Sequence, residues 1–222
     1  MSEDASISLP FADRHEAGRI LASRLTGYAH KPDVTVLGLA RGGVPVGFEI
    51  AKTLALRFDV FVVRKLGLPG HEELAMGAIA SGGIRVLNSN VLNQLSNAEK
   101  SLREATAKEE KELKRRERQY REGREFRPIE GKTVILVDDG LATGASMRAA
   151  AIAIKQLAAS RCVLAVPVGA PDTCADLRNE ADEVVCASTP NPFYAVGQFY
   201  RDFSQITDDE VRELMMQAEP TP

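Results

Sequence analysis

The chain has 222 residues, with 28 basic and 31 acidic side chains and a net charge of −3. At roughly 150 residues per domain this length is one large domain, or one domain carrying an insertion, and about 70% burial on folding needs no disulfide or structural metal. An apolar content of 44% with no Trp excludes a disordered or fibrous chain.

No apolar run approaches the roughly 18–20 residues of a membrane span, so no membrane association is expected. The leading segment MSEDASISLP has neither the positive stretch nor the apolar core of a signal peptide. Cys162, Cys174 and Cys186 are odd in number and far apart, and His15, His30 and His71 are scattered. Neither a zinc site nor a disulfide framework is expected, the cysteines read as small buried apolar residues, and the expected setting is a reducing cytoplasm. A slightly acidic chain is also not expected to bind nucleic acid generally.

In chain order, Asp13 and Glu16 open a helix whose apolar stripe runs through Ala17, Ile20, Leu21, Leu25 and Tyr28. Val34–Leu39 is an apolar strand ended by Arg41-Gly42-Gly43. A helix follows through Phe48, Ile50, Ala51 and Leu54, then a strand over Asp59–Val63. Strand, glycine turn, helix and strand make a βαβ unit, which implies a parallel sheet.

The middle of the chain breaks this rhythm. Residues 67–87 contain Pro69-Gly70 and a hairpin, Gly77–Ala80 and Ile84–Leu87, around Ser81-Gly82-Gly83. Ser96 and Glu99 read as a capping box that opens a helix to about Arg121. From Lys100 to Arg127 there are 11 basic and 7 acidic residues, a local charge of 11 − 7 = +4. Glu104/Lys108, Glu110/Lys114, Glu112/Arg116 and Glu117/Arg121 are spaced to pair along it. Leu102, Leu113 and Tyr120 mark a thin apolar face, so the helix reads as solvated with one docking edge; a basic surface for a polyanion is the competing reading.

The βα order then resumes: strand Lys132–Val137, helix Ala145–Ala159, strand Cys162–Val168, helix Asp172–Glu180 and strand Val184–Ala187. An aromatic loop spans Pro190–Ser204, and Thr207 and Glu210 cap a last helix. The fold class is α/β, a doubly wound parallel sheet in a single domain, residues 1–222, with a flexible hairpin and charged-helix insertion over 67–127.

The chemistry is concentrated in Val134-Ile-Leu-Val-Asp138-Asp139-Gly140-Leu141-Ala142-Thr143-Gly144-Ala145-Ser146. An apolar strand delivers two carboxylates to the carboxyl edge of the sheet, where open α/β sheets bind ligands. A loop of small residues and hydroxyls then enters a helix N-terminus, suited to a phosphate. Paired carboxylates beside it suit sugar hydroxyls or a bridging Mg²⁺. The combination asks for a ribose 5-phosphate, while Walker and GxGxxG patterns are absent.

This stretch resembles the 5-phosphoribosyl-1-pyrophosphate (PRPP) signature of type I phosphoribosyltransferases, and the likeness extends over roughly residues 34–200. Ala40, Arg41, Gly42 and Gly43 resemble the family's pyrophosphate loop, where exposed amides and a guanidinium fork would meet phosphate oxygens. Arg64 and Lys65 resemble a basic pair that some members use against pyrophosphate. The 67–87 hairpin occupies the place of the family's catalytic loop, with His71, Glu72 and Glu73 exposed on it.

The resemblance implies displacement of pyrophosphate from the anomeric carbon of PRPP by a nitrogen acceptor, a nucleobase or another nitrogen nucleophile. It implies Asp138 and Asp139 on the ribose hydroxyls, residues Gly140–Ser146 on the 5-phosphate, Arg41 and Lys65 on the leaving group, and Mg²⁺ as cofactor, reached by the two aspartates through water. Ala142 stands where 6-oxopurine enzymes commonly carry Asp, which counts against a hypoxanthine or guanine acceptor. A hood formed by residues 188–204 and the N-terminal helix would meet the base, with Phe193, Val196 and Tyr200 as candidate contacts. A homodimer is a further expectation. The alternative function is a non-catalytic PRPP- or nucleotide-binding regulator, and a phosphoribosyl hydrolase is a third.

Overall fold

A computed structural model describes residues 7–218; the first six residues of the polar leader lie outside the described residues. In chain order the elements are α1 (Arg14–Ala22), β1 (Val34–Leu39), α2 (Gly43–Leu54) and β2 (Arg57–Phe61). Next come β3 (Val63–Leu68), β4 (His71–Ala80), β5 (Ile84–Leu87), α3 (Ser89–Leu92) and α4 (Ala98–Tyr120). The chain closes with β6 (Thr133–Val137), α5 (Ala145–Gln156), β7 (Arg161–Val168), α6 (Pro171–Asp176), β8 (Glu183–Ser188) and α7 (Asp208–Gln217).

Five strands form a parallel sheet in the order β2-β1-β6-β7-β8. Its central strands are apolar at nearly every position because both faces are covered. Leu37, Leu136 and Leu164 point to one face and pack with Met147, Ala150 and Ile154 of α5. Val36, Ile135 and Val163 alternate to the other and pack with Leu21 of α1 and Val46 and Ile50 of α2. That period of two on a sheet buried from both sides is what the apolar runs encode, each such side chain contributing about 1.5–3 kcal/mol.

The middle segment departs from the strand boundaries read above. The run Asp59–Val63 is not one strand: β2 stops at Phe61, and Val63 begins a second, antiparallel sheet ordered β3-β4-β5. The corner is Val62, whose N–H donates to the Ser81 hydroxyl (3.0 Å) while Ser81 N–H donates to its carbonyl (2.9 Å), all fully buried. A continuous apolar run hides this break because both sides of the corner are core.

Helix α4 begins after Asn97, whose side chain makes no cap bond, so the Ser96/Glu99 capping box is not formed. Its buried residues, Ala105, Leu113 and Tyr120, trace the thin edge expected of a solvated helix, and they pack with Val211, Leu214 and Met215 of α7. Lys114, Arg116 and Arg121 pair with Glu110, Glu112 and Glu117 along its surface. Arg121 also reaches into the main sheet, bonding Asp59 at 2.8 Å and the Val60 carbonyl at 2.6 Å.

The cysteines require a correction. Cys174 of α6 and Cys186 of β8 are joined in a disulfide, and Cys162 alone is a free thiol, buried in β7. Burial pushes that thiol up to about 12.

Candidate active site

In this strand order the chain turns one way from β1 to β2 and the other way to β6. The loops after β1 and β6 therefore open side by side at the carboxyl edge, the usual ligand crevice of such sheets. They meet in close contact. A β-carbon at Gly43 would lie 2.3 Å from the Val137 carbonyl oxygen, and one at Gly42 would lie 2.1 Å from Asp139 Oδ2. Gly42 has an ordinary helical φ of −60°, so glycine is needed there for space and not for conformation. The Ala40–Arg41 peptide is cis.

Asp138 and Asp139 follow directly on β6 in a partly buried setting. The Asp139 N–H donates to Asp138 Oδ1 at 2.9 Å. Asp139 Oδ2 accepts from Arg14 Nε at 2.8 Å, with the two side chains only 14% and 8% exposed. Arg14 Nη1 donates to the Ser204 carbonyl at 2.9 Å, and its guanidinium lies 4.0 Å over the Phe203 ring. Burial raises the Asp138 carboxyl well above the ordinary range, and the adjacent Asp139 charge raises it further. Burial also raises Asp139, against the opposing pull of Arg14. Two neighbouring acids thus sit in unequal surroundings, and Asp139 is the one with a cation in contact.

Arg14 is not among the residues that the sequence singles out, and one signal for it was available. It occupies the first position of α1, where the helix dipole disfavours a cation. A basic residue there is explained by a partner outside the helix.

The loop after Asp139 is fastened from below and open above. Val196 caps Gly140, where a β-carbon would come within 2.5 Å of Val196 Cγ1. Leu141 is buried and bridges Gly169, donating to the Val168 carbonyl at 3.0 Å and accepting from Ala170 N–H at 2.8 Å. The Thr173 hydroxyl donates to the Ala142 carbonyl at 2.7 Å. Gly144 caps α5 with φ +71°, a conformation that glycine supplies without strain. Thr143, Ala145 and Ser146 surround the start of this 12-residue helix, with Ala145 and Ser146 exposed. Free amides, two hydroxyls and the positive end of a helix dipole form an anion cup.

The other residues singled out from the sequence are dispersed. Arg41 is partly buried and its Nη1 lies 3.6 Å from Asp208, at the start of α7. Asp208 also accepts from the Tyr120 hydroxyl at 2.7 Å. Arg64 and Lys65 do not end β2; they lie on β3, where Arg64 pairs with Glu109 of α4 at 2.7 Å and Lys65 with Glu73 at 3.3 Å. Both line a cleft shared with Glu72, Glu104 and Lys108 and with none of the residues 138–146. His71, Glu72 and Glu73 are exposed at the start of β4.

Residues 199–202 hydrogen-bond to the segment before α1, with Phe11 N–H donating to the Phe199 carbonyl and Arg201 N–H to the Phe11 carbonyl, at 2.9 and 2.8 Å. Of the three candidate base contacts, Tyr200 is turned inward: its ring packs on Phe11 and its hydroxyl donates to the Asp139 carbonyl at 2.6 Å. Phe193 packs on Phe199, and Val196 on Gly140. The aromatic rings left exposed on this segment are Tyr194 and Phe203.

Among the described residues, no group of three or more His, Cys, Asp or Glu is arranged to hold a metal ion. The paired oxygens of Asp138 and Asp139 do suit a hard cation whose remaining ligands are phosphate oxygens and water. A cleft of about 810 Å³ lies elsewhere, near Lys52, Arg57 and Arg127, and is lined by none of the loop residues above.

Comparison with known proteins gives one answer. Residues 14–204 match the family model of the phosphoribosyl transferase domain. Two Mycobacterium tuberculosis proteins, named "Putative phosphoribosyl transferase Rv0571c" (strain H37Rv) and "Putative phosphoribosyl transferase MT0597" (strain CDC 1551), are each 49% identical over 208 residues, 94% of this chain. The chain spans about half the length of these relatives, 47% of each. The crystal structure of TT1426 from Thermus thermophilus superposes with a TM-score of 0.83 at 40% identity, covering 96% of this chain and 100% of that one.

Proposed function

The chain belongs to the phosphoribosyl transferase domain family, and from that premise we propose that it transfers the 5-phosphoribosyl group of PRPP to a nitrogen acceptor, a nucleobase or similar heterocycle, releasing pyrophosphate. The observation that carries this reading is the convergence of two loops on one carboxylate pair: the anion cup of 140–146 on one side and Gly42 in contact with Asp139 on the other.

In this reading the 5-phosphate rests on the amides of 140–146 and the Thr143 and Ser146 hydroxyls. Asp139, and Asp138 beside it, accept hydrogen bonds from the ribose hydroxyls. Arg41 and the amides of 40–43 take the pyrophosphate as negative charge develops on it in the transition state, where fixed donors count most. Lys65 and Arg64 are the further candidates for the leaving group, and each would have to exchange a glutamate partner for it. Mg²⁺ bound with PRPP would neutralise pyrophosphate charge and be reached from Asp138 and Asp139 through water. The acceptor would approach under the segment 193–204, against Val196 and Phe203. A homodimer belongs to the same proposal, and so does a cytoplasmic setting, which rests on the family and not on the cysteines, two of which are bonded.

Titration calorimetry with PRPP and Mg²⁺ tests the binding half. Saturable binding that is lost in the Asp138→Asn/Asp139→Asn protein supports the assignment. Equal binding by both proteins, or none by either, removes it. The regulator reading is favoured by one feature, the +4 stretch over 100–127, but two of its basic residues are engaged by acids outside it, Arg115 by Asp208 and Arg121 by Asp59.

A further inference from the structure

We propose that Arg14 is a positioning residue for the ribose-binding carboxylate: it holds Asp139 in one orientation and ties the aromatic segment 199–204 to that carboxylate. This rests on the function proposed above and deepens it, because it assigns a role at the site to a residue outside the two loops.

Three contacts on one guanidinium carry the inference. Nε meets Asp139 Oδ2 at 2.8 Å, Nη1 meets the Ser204 carbonyl at 2.9 Å, and the centre of the Phe203 ring lies 4.0 Å from the guanidinium carbon. Arg14 is 7% exposed, so these contacts are made largely out of water, where a charge-assisted bond is strong and directional. A second tie runs in parallel, from the Tyr200 hydroxyl to the Asp139 carbonyl at 2.6 Å. The same aspartate is thereby held at its side chain by Arg14 of α1 and at its backbone by Tyr200. The close approach of Gly42 leaves the carboxylate no room to turn toward the 40–43 loop.

The contacts of the guanidinium lie on Asp139, Ser204 and Phe203. Its loss therefore frees the carboxylate and the aromatic segment, the ribose and acceptor side of the site, and not the 40–43 loop assigned to pyrophosphate.

The test measures affinity for PRPP and for inorganic pyrophosphate, each with Mg²⁺ at one neutral pH, for wild type, Arg14→Gln and Arg14→Lys, each checked for folding by circular dichroism. Arg14→Gln is expected to weaken PRPP roughly tenfold and to leave pyrophosphate binding unchanged. Arg14→Lys, which keeps the charge but not the fork, is expected to recover part of the PRPP loss. A purely structural role would weaken both ligands alike, and that result overturns the inference while wild-type binding upholds the proposed function. An unchanged Arg14→Gln protein overturns it too. If wild type binds no PRPP, the proposed function fails and this inference with it. Should Arg14→Gln not fold, Arg14→Lys decides alone: an equal loss of both ligands counts against the inference.

Discussion

Gly42 and Asp139 stand in direct van der Waals contact, so that a single β-carbon on Gly42 would fall 2.1 Å from the carboxylate oxygen held by Arg14. The loop after β1 and the strand end of β6 are therefore parts of one site. Neither can be changed in shape alone.

Gly42→Ala is expected to fold, because the clash falls on a side chain and not on core backbone. The carboxylate must move, and it loses the Arg14 bond when it does. PRPP affinity should drop roughly tenfold or more, the scale of a lost charge-assisted hydrogen bond. Calorimetry and a melting curve on the same protein separate the two effects.

Asp138 gives a stability prediction with a definite sign. Its carboxyl is raised above its ordinary value, 3.8, by burial and by Asp139. The stability it contributes is fully present below that ordinary value and is lost as pH rises through the raised one. On the alkaline side of that raised value the buried charge is therefore a cost. Asp138→Asn should melt higher than wild type near neutrality, by about 2–4 °C for each kcal/mol relieved. The two proteins should converge in acid. Melting temperatures taken over a pH series check this, and a variant that is less stable at neutral pH contradicts it.

Thr173 reaches the phosphate loop from α6, its hydroxyl bonded to the Ala142 carbonyl and its methyl group against Gly144. Thr173→Val keeps the shape and removes the bond. The expected stability loss is about 0.5–1.5 kcal/mol, with a several-fold rise in the PRPP concentration needed for half-saturation. Thr173→Ser should restore the bond and most of the affinity.

The cysteine pattern predicts a labelling result. Thiol reagent applied to the native protein should find none of the three cysteines, since Cys174 and Cys186 are bonded and the Cys162 thiol is buried, its pKa pushed up to about 12. Unfolding without reductant should expose one thiol, and with reductant three, as counted by mass. The disulfide spans a separation of 12 residues. Its reduction should cost about 2–4 kcal/mol of stability. Three thiols in the unreduced, unfolded protein would remove the bond from this account.

What the sequence disclosed and what it concealed divide along physical lines. Strands β1, β6 and β7 were legible because a parallel strand buried on both faces is apolar nearly throughout, and the Asp138–Ser146 stretch because its chemistry is local. The corner at Val62 was not, since the run stays apolar across it. Asn97 displaced the Ser96 cap, because a capping box in sequence competes with where the chain first turns helical. Tyr200 was legible as part of an aromatic cluster but not as a buried bond to the Asp139 carbonyl. The Arg14–Asp139 pair spans 125 positions, and the Cys174–Cys186 bond depends on how α6 lies against β8. Contacts of that kind are set by the tertiary fold.

The central claim is tested most directly by pyrophosphate release from PRPP in the presence of Mg²⁺ and pooled purines, pyrimidines and pyridine carboxylates. Wild type is expected to release pyrophosphate with at least one pool, and the Asp138→Asn/Asp139→Asn protein with none; dividing the active pool then names the acceptor. No release by wild type with any pool, or equal release by the doubly substituted protein, would contradict the account.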